Sequence, residues 1–115
     1  MKKIYLAKAK LPNLQDQIRH CIQNGRYRFS NHAQLRQVER NLQAPDILNV
    51  LETGYHEEGK DKWDETYQAW NYAIRGYTSD KDGLRVVVSF YDVNMLIITV
   101  IRIVKREGKN DAKKG

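Results

Sequence analysis

Residues 84–104 read LRVVVSFYDVNMLIITVIRIV, and β-branched or aromatic side chains fill most of the stretch. Such residues suit a pleated surface and lose rotamer freedom in a helix. Two strands are therefore predicted, 84–92 and 94–104, turning at Asp92-Val93-Asn94. The second is apolar on both faces, as a central strand should be. Working back toward the N-terminus, TYQAWNYAIRGY (66–77) alternates Trp70, Tyr72 and Ile74 against Tyr67, Asn71 and Arg75, a strand with two unlike faces. Asp82-Gly83 supplies a turn, so the three strands should form an antiparallel meander. Residues 55–60 are expected to add an edge strand.

Upstream of Gly54 the apolar period changes from 2 to about 3.6. NLQDQIRHCIQN (13–24) sets Leu14, Ile18, Cys21 and Ile22 on one helical face, with Gly25 as a stop. Ser30 is a plausible N-cap for a second helix whose Leu35, Val38 and Leu42 share a face, while His32, Arg36 and Arg40 recur every four residues as a separate stripe. APDILNVLETG (44–54) has Pro45 in its first turn, Ile47, Leu48 and Leu51 inward, and Gly54 as terminator. The fold class is α+β, with N-terminal helices packed on a C-terminal antiparallel sheet of three to four strands. Residues 1–105 form one domain, and 106–115 are expected to be a disordered basic tail.

A chain of 115 residues and 13.5 kDa with 41% hydrophobic residues can bury one core, which excludes two-domain, collagen-like and wholly disordered classes. The single Cys21 forms no internal disulfide, and three histidines cannot assemble the familiar zinc-finger ligand sets. With no signal-peptide core in MKKIYLAKAK, a cytoplasmic location and no membrane partner are expected. The net charge of +6 is uneven: residues 1–42 carry +7, 43–83 carry −5 and 102–115 carry +4. Basic ends would draw a polyanion such as RNA, and an acidic middle argues against a uniformly coated DNA-wrapping protein.

The run FSNHAQLRQVERNLQAPDILNVLETG, followed by WNYAIRG, DGLRVVVSF and TVI, resembles the bacterial domain-of-unknown-function 4258 family over about residues 27–104. The resemblance implies kinship with the RelE-like, BrnT-like and MqsR-like toxins of type II toxin–antitoxin modules, and with them a RelE-like or barnase-like fold. It implies an endoribonuclease acting on an RNA substrate, without a cofactor. It also implies a cognate antitoxin, a zinc-finger protein of the MqsA kind being one form, with the ribosome as a further candidate partner. The family's His and Arg positions fall on His32, Arg36 and Arg40, with Arg75 and Arg85 on the strands and Thr99 in the last one.

Metal-independent RNA cleavage needs a base for the 2′-OH, an acid for the leaving 5′ oxygen, and cations around the phosphate. His32, Arg36, Arg75 and Arg85 are the catalytic candidates, and Arg40, Tyr67, Tyr91 and Arg102 the RNA-binding ones. A two-residue Val93-Asn94 loop would place Arg85 opposite Arg102, like charges that a bound phosphate would neutralise. The competing reading pairs these guanidinium groups with Asp80, Asp82 or Glu107, and has His32 merely cap or pack its helix. Tyr67, Tyr91 or Lys60 could supply the second proton-transfer group, and nothing in the sequence chooses among them. Trp70 and Tyr72 read as core residues. Glu57, Glu58, Asp61, Asp64 and Glu65 lack metal-ligand spacing and read as a solvated or partner-facing stretch. The alternative to a nuclease is a non-catalytic RNA- or protein-binding module on the same fold.

Overall fold

The computed structural model describes residues 9–104. Helix α1, Leu14–Gln23, buries Leu14, Ile18 and Cys21 and stops where Gly25 adopts φ +66°. Strand β1, Tyr27–Phe29, leads into α2, Asn31–Glu39. Ser30 is the expected N-cap: its Oγ accepts from the Ala33 amide at 3.0 Å and donates to the Ile98 carbonyl at 2.8 Å. Helix α3, Ala44–Thr53, has Pro45 in its first turn and an Asp46 carboxylate accepting from the Gln43 amide at 2.9 Å, and buries Ile47, Val50 and Leu51. It ends at Gly54, where a Cβ would strike the carbonyls of Arg75 and Val50. That close approach seats α3 on the sheet.

Past Gly54 the chain builds β2 (Tyr55–His56), a 3-10 turn (Glu58–Lys60), β3 (Lys62–Asp64), β4 (Ala69–Tyr77), β5 (Gly83–Tyr91) and β6 (Asn94–Val104). The sheet has six strands in the order β1-β6-β5-β4-β2, with β3 also on β4. The expected α+β class and the β4-β5-β6 meander are present. The sheet is mixed rather than wholly antiparallel, because β1 runs parallel to β6 with Tyr27 beside Met95. Tyr72, Ile74, Leu84, Val86, Val88, Met95, Ile97 and Val100 make one sheet face and meet α1, α2 and α3 in a single core. No described helix covers the other face.

Several expectations change. The edge strand at 55–60 shrinks to β2, and pairing on β4 resumes with β3. Strand β4 starts at Ala69 rather than 66, because Gln68 takes φ +52° and Asp64 accepts from the Tyr67 amide. Helix α2 buries only Ala33, and Leu35 and Val38 are 56% and 80% exposed. Its inward face is chosen by a small residue that fits against β1 and β6, not by the larger aliphatics.

The β5–β6 turn is Asp92-Val93, with Tyr91 opposite Asn94 and Asp92 at φ +56°. A bulge then shifts the register between Val87 and Val88, so Ile98 is the extra residue and Thr99 faces Val87. The combined effect places Arg85 opposite Ile101, and Arg102 opposite Leu84 on the core side. The expected Arg85–Arg102 pair does not exist. Glu107 and the 106–115 tail lie outside the described residues.

Candidate functional site

The sheet face opposite the described helices has its own charge arrangement. Antiparallel pairing of β4 with β5 sets Arg75 directly opposite Arg85, a like-charge pair that destabilises a sheet unless neutralised. Glu57 does so. Beyond β2 its amide donates to the Ala73 carbonyl at 2.8 Å, which carries its side chain onto the face of both arginines. Arg85 grips the carboxylate as a fork, Nε to Oε1 at 2.7 Å and Nη2 to Oε2 at 3.1 Å, and Arg75 Nη1 reaches Oε2 at 3.3 Å. All three side chains are between 17% and 21% exposed, so a ligand can still reach them.

Hydrogen bonding from Arg85 holds the Glu57 carboxyl below the usual carboxylate range, against burial that pushes the other way. The same bond raises Arg85. Two fixed cations and one carboxylate leave the cluster with a net positive charge.

Tyrosines surround it. Tyr55 stands opposite Arg75 in register, and Tyr77 follows Arg75 by two residues on the same face. Tyr67 and Tyr91 line a cavity farther along that face with Arg28 and Asn71. The well-exposed tyrosines among the described residues are these four. Trp70 and Tyr72 pack with the core.

The structure thus brings together Arg75 with Arg85, and Tyr67 with Tyr91. Arg102 does not join them: on the core side it donates from Nη2 to the Arg40 carbonyl at 2.9 Å and faces Asp82 at 3.6 Å. Asp82 was one of the carboxylates the ion-pair alternative named. The helical stripe also stands apart, because α2 packs on the core side of β6 through Ala33. Arg36 and Arg40 both pair with Glu39, and His32 is exposed, with no hydrogen bond or ion pair to a described residue.

The acidic stretch is divided among three tasks. Glu57 neutralises the arginines, and Asp64 accepts from the Tyr67 amide. Asp61, its side chain only 1% exposed, binds Lys10 at 2.9 Å, His56 Nε2 at 2.7 Å and the Ala73 amide at 2.9 Å. This last group fastens residues 10–12 across β4, where the Leu11 amide also donates to the Tyr72 hydroxyl at 2.9 Å. Lys60 lies exposed in the 3-10 turn.

Sequence reasoning missed Glu57. The available signal was the alternation Tyr55-His56-Glu57 at the predicted edge strand, which puts Tyr55 opposite Arg75 and an acid two residues along on the same face once that strand is paired antiparallel to β4. Chemically, a carboxylate between two guanidinium groups offers a proton acceptor beside a phosphate clamp.

The fold defines a small α+β domain whose described helices pack on one sheet face, with arginines and tyrosines on the other. The chain belongs to the family described as Domain of unknown function (DUF4258), whose pattern matches residues 29–102. That span takes in α2, α3, the sheet from β2 onward and all three members of the charged cluster. No curated protein matches the chain.

Proposed function

We propose that the protein is the RNA-cleaving toxin of a bacterial type II toxin–antitoxin module, a cytoplasmic endoribonuclease that holds single-stranded RNA against the open sheet face. The carrying observation is Glu57 between Arg75 and Arg85 on a surface ringed by exposed tyrosines. In this reading an RNA phosphate approaches the two guanidinium groups. Glu57 accepts the 2′-OH proton as the 2′ oxygen attacks phosphorus, and Arg75 and Arg85 stabilise the charge that gathers on the phosphate oxygens. Tyr55, opposite Arg75 in register, donates a proton to the departing 5′ oxygen. The products are a 2′,3′-cyclic phosphate and a 5′-hydroxyl end. Glu57 takes the role expected of His32, which stands in the helical layer with its stripe already paired to Glu39. A cognate antitoxin is the protein partner of this reading.

Expression of the soluble protein without its antitoxin should arrest growth and leave RNA fragments with cyclic phosphate ends. Glu57→Gln should lower cleavage by about 10² to 10⁴-fold, the usual range for a general base. Normal growth and intact RNA at demonstrated soluble expression would overturn the nuclease reading. One observation favours a second reading, an RNA-binding module without catalysis: Arg85 holds Glu57 in its charged form, and a carboxylate so held is a weak base. For such a module, wild type and Glu57→Gln would be equally harmless to RNA.

A further inference from the structure

The cavity at the far end of the open face lies between β1, β3 and the ends of β4, β5 and β6, and its volume is about 470 Å³. Resting on the RNA reading above, we propose that it is a nucleobase subsite, which receives one unstacked base of the strand whose phosphate lies at Arg75 and Arg85. Its floor is apolar, formed by Ala69, Leu96 and Ile98, and Tyr67 and Tyr91 stand at its edge. Both tyrosines are well exposed, at 79% and 43%, so their ring faces are available for stacking.

Their positions are braced by polar contacts. The Tyr67 amide donates to Asp64 Oδ1 at 3.1 Å, and Arg28 Nε donates to the Tyr91 hydroxyl at 3.3 Å. Asn71 also lines the cavity, and its side-chain amide has no hydrogen bond with any described residue. An apolar floor, aromatic rims and a free amide are the parts that bind an unpaired base: rings stack, and the amide meets a base edge with a donor and an acceptor. Arg28 adds a cation for the neighbouring phosphate.

The spacing links the cavity to the charged cluster. Asn71 precedes Arg75 by four residues on β4, and Ser89 follows Arg85 by four on β5, so the two sites are about 13 Å apart along the strands. Ala73 and Val87 fill the interval on the same face. Asp64, the one carboxylate in the cavity lining, is engaged by the Tyr67 amide. A short oligonucleotide reaches both sites, whereas a mononucleotide reaches one.

The test uses five-nucleotide RNAs of A, C, G or U with 2′-O-methyl riboses, which cannot be cleaved, and a strand of equal charge with no bases. Tyr67→Ala and Tyr91→Ala should each weaken binding of the best homopolymer by about 5- to 150-fold, as expected for a lost stacking partner. Binding of the baseless strand should not change. Asn71→Ala should flatten the ranking of the four homopolymers, and Arg75→Gln or Arg85→Gln should weaken every strand, the baseless one included. Tyrosine variants that bind all homopolymers like wild type, while the arginine variants fail, would remove the subsite and leave the RNA-binding face standing. A wild-type protein that binds none of the five strands would overturn the RNA reading and the subsite with it.

Discussion

At Glu57 a single carboxylate decides whether two arginines can share a sheet face. Because Arg85 lowers its pKa below the ordinary 4.5, its bond contributes stability that is fully present above that ordinary value and lost as the pH falls through the folded value. Denaturant midpoints should therefore drop as the pH is taken from about 5 into the acid range, more steeply in wild type than in Glu57→Gln. At neutral pH the Gln variant should be less stable by about 1 to 2 kcal/mol, since charge-assisted bonds weaken and Arg75 faces Arg85 without a counter-ion. Equal acid profiles for the two proteins would show that Glu57 is not linked to folding. Arg75 and Arg85 were legible as cations at one end of the sheet, although the pair expected from the sequence was Arg85 with Arg102. Their neutraliser was not, because a residue in a polar loop shows its partner only once β2 is aligned with β4.

Among the elements, β6 was read with its full extent, 94–104, and its register was the least legible and most consequential feature. From Leu96 to Ile101 every residue except Thr99 is apolar, so alternation gives the same reading in either register and a single extra residue leaves no trace. The bulge at Ile98 is that residue, and it sends Arg102 to the opposite face from Arg85. The Ile98 carbonyl is held by Ser30, whose hydroxyl also caps α2. Ser30→Ala removes both bonds at once and should cost about 1 to 3 kcal/mol in urea unfolding with an unchanged slope. A loss within a few tenths of a kcal/mol would mean that neither bond matters to stability. Helices α1 and α3 were readable because large aliphatics mark their inward faces. For α2 the face was wrong within the helix, since Ala33 rather than Leu35 or Val38 meets the core, while Leu42 of the expected face is buried just beyond its end. Strand β1 is too short for any period to show.

For the molecule as a whole, the change of period at Gly54 was enough to order helices before sheet, and it could not reveal that the described helices would all pack on one side of it. The sidedness follows from chain economy: three short helices can cover one face of a sheet this wide, and charge and tyrosines fall on the other. The parallel pairing of β1 with β6 adds a consequence for how the chain is made. Tyr27 meets Met95 across most of the described sequence, so β1 leaves the ribosome long before its partner does, and α1, α2 and α3 emerge with no sheet to receive their apolar faces. Distant pairings of this kind are formed late because the intervening chain must first give up its freedom. A chain ending at Tyr91 should stay unfolded by circular dichroism and proteolysis, and a cooperative transition in it would show that β6 is dispensable. Arg75 and Arg85 already meet on the β4–β5 hairpin, but that hairpin gains its β6 neighbour only once residues 94–104 have been translated, so a prematurely terminated chain should hold the two arginines on an unsupported pair of strands.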